Sequence, residues 1–286
     1  MIILSFDVGI RSLSYCLFKI KNLIDTAEIL QWECIDILKD NGSVIKNASR
    51  IKNETATDCV IKTLWRRIDL MTLYKVDYIL IESQMLNFSS KRASGSVINK
   101  ITGNVIYQFY KQFIIMSNYE NVILKQKYKT KISMISPKLK LNKDLLLALF
   151  NKSDDKYAVK LSSIETRYSS DKPDSYDIKS DIKTDTKSNK ASKAVKAVKK
   201  IKRRRLVTTA DGSKQYTLNK KNSVKFTSIF LKCMPETDWS QWFLDNECSE
   251  KHVTINDKGH RIKKNRQADV SDALLQGLAF YSKKFL

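Results

Sequence analysis

Two aspartates near the end of the chain, Asp269 and Asp272, raise the first chemical question. They lie in "QADVSDALLQGLAFY" (267–281), where apolar residues recur at helical spacing. Residues three apart on a helix are neighbours, so the two carboxylates repel each other unless a cation, a polar partner or water lies beside them. The pair is consistent with a metal site and with a capping arrangement at the start of a helix.

Two further acids follow apolar stretches that are typical of buried strands. Asp7 follows "MIILSF", and Glu82 follows "YILI". A buried carboxylate without a partner is costly or becomes neutral, and a hydrogen bond to a loop would explain either acid alone. Together with the helical pair, however, they form the all-oxygen ligand set that Mg²⁺ or Mn²⁺ prefers. Two such ions about 4 Å apart support phosphodiester hydrolysis, so we expect the four acids to share a site.

The net charge of the chain points to a polyanionic partner. The 286 residues carry a formal charge of +22 at pH 7. A surface of this kind attracts nucleic acid through long-range steering and counterion release, whereas an anionic membrane is the weaker alternative. Ribosomal proteins, nucleases and chromatin proteins are all basic, so charge alone does not choose among them. An acidic pocket for metal beside a basic surface for phosphates is the arrangement we expect.

Cysteine usage and hydropathy indicate a reducing, aqueous environment. The five cysteines are an odd number without a CxxC pair, so we expect free thiols in an intracellular protein. No pair of Cys or His has zinc spacing, which disfavours a zinc site. The first residues lack the apolar run of a signal peptide, and no segment reaches ~18 apolar residues, so we expect no membrane span.

Hydrophobic patterns predict an α/β fold built on a mixed sheet with helices on its faces, and they disfavour a doubly wound nucleotide fold. The first three strands, joined by short turns, predict an antiparallel meander. Asn53 is the predicted N-cap of the first long helix. The predicted strands cover 1–8, 12–20, 27–38, 76–82 and 121–126, with a further extended piece over 131–140, and the predicted helices cover 53–74, 94–116, 219–234, 238–246 and 267–281.

Residues 151–205 differ in composition from the rest of the chain. They are rich in Lys, Ser, Asp and Thr, so we predict one domain over 1–286 that is interrupted by a flexible Lys-rich insertion. Residues 183–205 hold eleven Lys or Arg against one acid. This basic run, which ends in Arg203, Arg204 and Arg205, is consistent with a solvated segment, a clamp on the DNA backbone or a nuclear-import signal.

Several motifs resemble, in family order, those of the Holliday junction resolvases of the RNase H-like superfamily, in particular the poxvirus and mitochondrial type within its RuvC-like branch. "SFDVGIRSLSYCLF", "LIESQ" and "QADVSDALLQ" are similar to the three acidic motifs of that group. "ISPKLK" resembles its short Ser-Pro-x-x-Lys element, and "NKKNSVKF" resembles its Lys-bearing helix before the last motif. These relatives often carry an additional acid directly before the last pair, where this chain has Ala268.

The resemblance implies an RNase H-like mixed five-stranded sheet flanked by helices, a homodimer, and paired metal-dependent cuts in a four-way DNA junction. It implies two Mg²⁺ or Mn²⁺ ions per site and no small-molecule cofactor. The compartment would be one where DNA replicates, the nucleus or a cytoplasmic viral factory. The implied metal-binding acids are Asp7, Glu82, Asp269 and Asp272, and the implied phosphate contacts are Lys138 and Lys221.

The segment that follows the second acidic strand contains three further candidates for DNA contact, Phe88, Lys91 and Arg92. Phe88 could stack on a base at an opened junction, although a packing role explains it equally well. Lys91 and Arg92 are suitable phosphate ligands or part of a solvated surface.

Three other functions remain open at this stage. A different RNase H-like nuclease would cut RNA·DNA hybrids or act as an integrase. A phosphotransferase is suggested because "FDVGIRS" also resembles a first phosphate loop, but seven glycines are few for that fold. A basic junction-binding protein without catalysis would carry degenerate acids.

Overall fold

A computed structural model describes residues 1–43, 51–66, 75–84, 93–124, 129–150, 155–164, 217–245, 253–255, 261–263 and 266–286. The strands are β1 (Ile2–Asp7), β2 (Leu13–Lys19), β3 (Glu28–Ile35), β4 (Tyr78–Glu82), β5 (Lys131–Ile135), β6 (Val253–Ile255) and β7 (Arg261–Lys263). The helices are α1 (Ile37–Asp40), α2 (Asn53–Trp65), α3 (Ala93–Leu124), α4 (Lys143–Leu147), α5 (Asp155–Ser162), α6 (217–231), α7 (Asp238–Leu244) and α8 (Gln267–Phe285).

The first five strands form one mixed sheet in the order β3-β2-β1-β4-β5. β1, β2 and β3 form the predicted antiparallel meander. β4 pairs parallel with β1, and β5 pairs parallel with β4. This arrangement is a mixed five-stranded α/β sheet flanked by helices, so the predicted fold class is confirmed.

Alternation along the central strands decides which face each side chain occupies. Successive residues of a strand point to opposite faces of a sheet. In β1, Leu4 and Phe6 join a core with α2 and α3, whereas Ile3 joins the core with α6 and α8 on the other face. Asp7 therefore lies on the α8 face. The same period in β4 puts Glu82 on that face, together with Leu80.

The C-terminal helix α8 is held on the sheet by specific contacts. Buried Gln276 donates from Nε2 to Ser5 Oγ and to the Phe6 carbonyl, both at 3.1 Å. Trp32 Nε1 donates to the Val270 carbonyl at 2.8 Å. These hydrogen bonds fix the helix against β1 and β3, and therefore fix the position of the acids in its first two turns.

The structure corrects the predicted end of α3 and the fifth strand. Residues 121–124, predicted to be extended, continue α3 to Leu124, since no Gly or Pro lies between Gly103 and Pro137 to stop the helix. The fifth strand is instead Lys131–Ile135, in the segment predicted as a further extended piece. Asn53 is the first residue of α2 rather than its cap, and Lys52 is the N-cap without a side-chain bond.

Part of the predicted insertion belongs to the folded domain. Residues 155–162 form α5, and Leu161 on this helix is fully buried in the core beside α8. Apolar residues at helical spacing in "YAVKL" explain why this part packs against the domain. Residues 151–154 and 165–205 of the predicted insertion lie outside the described residues, so their flexibility stays a prediction. β6 and β7 form a separate antiparallel pair between α7 and α8.

Two further findings concern thiols and membranes. Cys16, Cys34, Cys59 and Cys233 form no disulfide within the described ranges, and Cys248 lies outside those ranges. Among the described helices, none combines the length and apolar character needed to span a bilayer.

Close packing at Gly277 gives a stability prediction. A Cβ atom at this position would lie 2.5 Å from Phe18 Cε1, and Phe18 is fully buried. We expect Gly277→Ala to lower the free energy of unfolding by about 1–3 kcal/mol because the core is overpacked, as measured by urea denaturation. Gly103→Ala in α3 is the control, since its Cβ would make only ordinary contacts of 3.7 Å. Equal stability of the two variants would contradict the account of how α8 docks.

Candidate active site

Asp7 and Glu82 meet because they end neighbouring parallel strands. Phe6 pairs with Ile81 in the register of β1 and β4, so the next residues of both strands lie at the same edge of the sheet. Both acids face α8, and their exposed fractions are only 7% and 6%. The sheet therefore delivers two buried carboxylates to one place through backbone pairing alone.

The helices α8 and α6 add the second pair of acids and the groups that bind them. Lys220 Nζ lies 2.9 Å from Asp269 Oδ1 and 2.7 Å from Asp272 Oδ2. Ser223, one turn further along α6, donates from Oγ to Asp272 Oδ1 at 2.5 Å. The cation that the repelling pair requires is therefore supplied, in this structure, by a lysine of the chain itself.

A second lysine joins three of the four acids. Lys140 lies on the 3-10 turn Leu139–Leu141 that follows β5. Its Nζ is 3.1 Å from Asp7 Oδ1, 3.1 Å from Glu82 Oε1 and 2.8 Å from Asp272 Oδ2. Asp272 thus contacts both lysines, and all four acids belong to one connected network of charges.

Other polar groups orient the acids at the edge of this network. Arg266, itself buried, donates from Nη1 to Asp269 Oδ2 at 3.0 Å and from Nη2 to the Arg11 carbonyl at 2.8 Å. It therefore ties the start of α8 to the turn between β1 and β2. Gln84 donates from Nε2 to Glu82 Oε2 at 2.9 Å. Glu82, Asp269 and Asp272 therefore each have a polar partner in addition to a lysine.

Burial and charge balance explain the protonation of these groups. The four carboxylates face three contacting cations, so one negative charge is in excess if every acid is ionised. Burial raises the pKa of Asp7 to about 8, opposed by Lys140 and reinforced by Glu82. Burial acts to raise the pKa of Asp272 as well, but Lys140 and Lys220 outweigh it and the pKa is lowered. Asp7 is therefore the acid that takes up the proton.

The two lysines remain charged in this environment. Burial alone would lower the pKa of Lys140, but Asp7, Asp272 and Glu82 outweigh it and hold the pKa above its usual value. The carboxylates, Asp272 foremost, likewise outweigh burial at Lys220 and raise its pKa. Both side chains are accordingly ammonium ions that neutralise the acids.

The network lines a pocket of about 490 Å³ that contains all four predicted acids. Four carboxylates on strand and helix ends have the donor chemistry that Mg²⁺ and Mn²⁺ prefer, and the ammonium groups already lie among their oxygens as monovalent cations. Within the described residues, no group of three Asp, Glu, His or Cys side chains is arranged to hold a metal ion. The chemistry of the donor set nevertheless suits a divalent cation, and the oxygens of Asp7, Glu82 and Asp272 that such an ion would take are bonded to Lys140.

Of the candidate DNA contacts, only Lys138 and Lys221 lie within the described residues. Lys138 is exposed and lines the pocket at its rim. Lys221 is exposed on α6, outside the pocket lining, where Lys220 contributes instead. Phe88, Lys91, Arg92, Arg203, Arg204 and Arg205 lie outside the described residues, so their roles stay predictions.

Sequence reasoning missed Lys140, Lys220, Ser223 and Arg266, although signals for the lysines were present. A Ser-Pro-x-x-Lys spacing that starts at Ser136 places its lysine at 140 rather than 138. On α6, the buried face includes Ser223 and Thr227. Lys220 shares that face by helical spacing, whereas Lys221 does not.

The raised pKa of Asp7 predicts a pH dependence of stability. The carboxyl titrates near 3.8 as a free group and near 8 in the fold. Between these values the folded chain holds the extra proton, so the free energy of unfolding falls as pH rises through this window. The variant Asp7→Asn has no such titration. In EDTA, the free energy of unfolding of Asp7→Asn minus that of the wild type should therefore increase as the pH is raised from about 5 to about 9.

Urea denaturation across this range checks the prediction, and the same substitution at exposed Asp58 on α2 is the control. A stability difference between Asp7→Asn and wild type that stays constant with pH would contradict the assignment of the proton to Asp7.

Comparison with known proteins finds similarity only at low sequence identity. No protein-family model matches the chain, and no curated protein matches it in sequence. Among solved structures, the yeast mitochondrial Holliday junction resolvase Ydc2 is similar at 14% identity with a TM-score of 0.41, over 99% of this chain and 86% of that chain. RuvC of T. thermophilus, solved with a Holliday junction substrate, is similar at 12% identity with a TM-score of 0.30, over 52% of this chain and 72% of that chain.

Proposed function

We propose that this chain is a divalent-metal-dependent endonuclease that resolves four-way DNA junctions. The observation that carries the proposal is the convergence of Asp7, Glu82, Asp269 and Asp272, distant in sequence, on one pocket. A cluster of four carboxylates is an unusual feature in a chain of charge +22. Metal binding explains why such acids are gathered, and a basic surface explains how phosphates are attracted to them.

Each residue has a defined task in this proposal. Asp7, Glu82 and Asp272 would hold the cation, and Asp269 would complete the ligand set from the first turn of α8. Bound divalent ions would supply activation of the attacking water and stabilisation of the leaving oxygen. Arg266 and Gln84 hold the carboxylates in position, and Lys138 at the rim offers an ammonium group to the DNA backbone.

Cleavage assays test this proposal directly. We expect wild type to cut a four-way DNA junction in Mg²⁺ and to leave a linear duplex and an RNA·DNA hybrid largely uncut. Asp7→Asn and Asp272→Asn should each lower the rate at least about 100-fold, because loss of a metal ligand costs more than loss of a supporting contact. Junction binding in EDTA should be retained or tighter, since negative charge near the phosphates is reduced. Asp58→Asn is the matched control.

Each alternative function has its own outcome in the same assay. Preferred cutting of the hybrid would indicate another RNase H-like nuclease. Tight junction binding without cleavage in Mg²⁺ or Mn²⁺ would indicate a non-catalytic junction-binding protein. Equal loss of binding and cleavage in the acid variants, with folding intact, would count against the metal assignment.

We also propose that two copies of the chain act together. A four-way junction has two equivalent strands to cut, which calls for two symmetry-related sites. An apolar groove of about 520 Å³ runs between α2 and α3, on the face of the sheet opposite α8, and includes Trp65, Phe109 and Met116. Trp65 and Met116 are 60% and 64% exposed, a degree of apolar exposure that a second copy would cover. In the cell, such a dimer would act where DNA replicates.

Sedimentation measurements test the dimer. Met116→Lys should shift the chain from dimer to monomer, because an unpaired charge would be buried in the interface. Val159→Lys is the control, since Val159 on α5 is 65% exposed but lies outside the groove. A wild-type chain that sediments as a monomer, or equal effects of the two substitutions, would contradict this interface.

A further inference from the structure

Two lysine side chains occupy the space that the proposed cations need. Lys140 Nζ lies within 3.1 Å of oxygens from three acids, and Lys220 Nζ lies within 2.9 Å of oxygens from two. The ammonium groups are enclosed as well as close, since the side chains of Lys140 and Lys220 are only 11% and 23% exposed. They are therefore the counter-ions of the acidic pocket in this structure.

The lysines and divalent ions are mutually exclusive at these positions. Mg²⁺ binds carboxylate oxygens at about 2.0–2.1 Å, and the same oxygens of Asp7, Glu82 and Asp272 already bond to Lys140. Two divalent ions would balance four carboxylates without help. Both ammonium groups would then be excess positive charge in a buried site, where like charges repel strongly.

We infer that Lys140 and Lys220 are internal counter-ions that keep the four acids gathered before metal binds and leave the carboxylates when it does. This inference rests on the proposed metal-dependent function and adds the step by which the site is loaded. It makes the two lysines positioning residues, because they act through the carboxylates that they hold.

The pocket gives the displaced ammonium groups somewhere to go. Its volume of about 490 Å³ opens beside both lysines, and exposed Lys138 lies at its rim. A lysine carries its charge on a flexible four-carbon stem, so Nζ can move by several ångströms while the backbone stays in place. Released from the acids, both groups would face the part of the pocket that a DNA phosphate enters. Metal and DNA should therefore favour each other's binding.

Replacing Lys140 by a neutral residue of similar length separates this role from a purely structural one. In EDTA, Lys140→Met should lower the melting temperature by about 5 °C or more, since the gathered acids lose a partner. In calorimetric titrations of the full chain with Mn²⁺, the same variant should bind at least about tenfold more tightly than wild type, because no ammonium group competes. A structural defect alone would lower both the melting temperature and the Mn²⁺ affinity. A lower melting temperature together with a higher Mn²⁺ affinity is therefore expected only if the inference holds.

Two further variants keep the test decisive. Lys143→Met removes the same charge three residues away, where Nζ donates to the Ser162 carbonyl at 2.8 Å, and should leave Mn²⁺ affinity unchanged. Lys220→Met should act as Lys140→Met does but more weakly, and it carries the test if the Lys140 variant fails to fold.

Mn²⁺ affinity that is unchanged or weaker in the folded Lys140 and Lys220 variants overturns the inference. If wild type still cuts junctions in Mg²⁺, the proposed nuclease stands while the counter-ion role falls. If wild type neither binds Mn²⁺ nor cuts junctions, both fall together.

Discussion

The constraint on which this structure depends is the neutralisation of carboxylates that the fold buries together. Parallel pairing of β1 and β4 leaves Asp7 and Glu82 side by side, and docking of α8 brings Asp272 to the same place. Such a cluster is stable only with cations or protons among its oxygens. Both are found here, because Lys140 and Lys220 pair with the acids and the pKa of Asp7 is raised.

The carboxylates lie close to fixed backbone elements, whereas the ammonium groups lie at the ends of long, flexible side chains. The acids lie on strand ends and on the first turns of a helix whose position is fixed by Gln276 and Trp32. The lysine charges lie at the ends of long side chains. A site built in this way can exchange its cations while its ligands stay in place, which is what loading with metal requires. The same architecture explains how a strongly basic chain can maintain an acidic pocket.

Most of the correct predictions of the site follow from two regularities of backbone geometry, the alternation of side chains along a strand and the spacing of three residues along a helix. They locate Asp7 and Glu82 at strand ends and pair Asp269 with Asp272 on a helix, because backbone geometry alone decides these positions. The directions of Lys138 and Lys140 could not be decided in this way, since a 3-10 turn sends the second inward. For residues 121–124 the local composition was misleading. Their β-branched residues favour a strand, but the uninterrupted α3 continues through them.

Anomalous scattering from crystals grown with Mn²⁺ tests the central claim most directly. The account predicts at least one manganese peak at about 2.0–2.6 Å from carboxylate oxygens of Asp7, Glu82 and Asp272, with Lys140 Nζ moved away from them. Well-ordered crystals in which these three acids are visible, Lys140 still bridges them, and no manganese peak lies between them would contradict it.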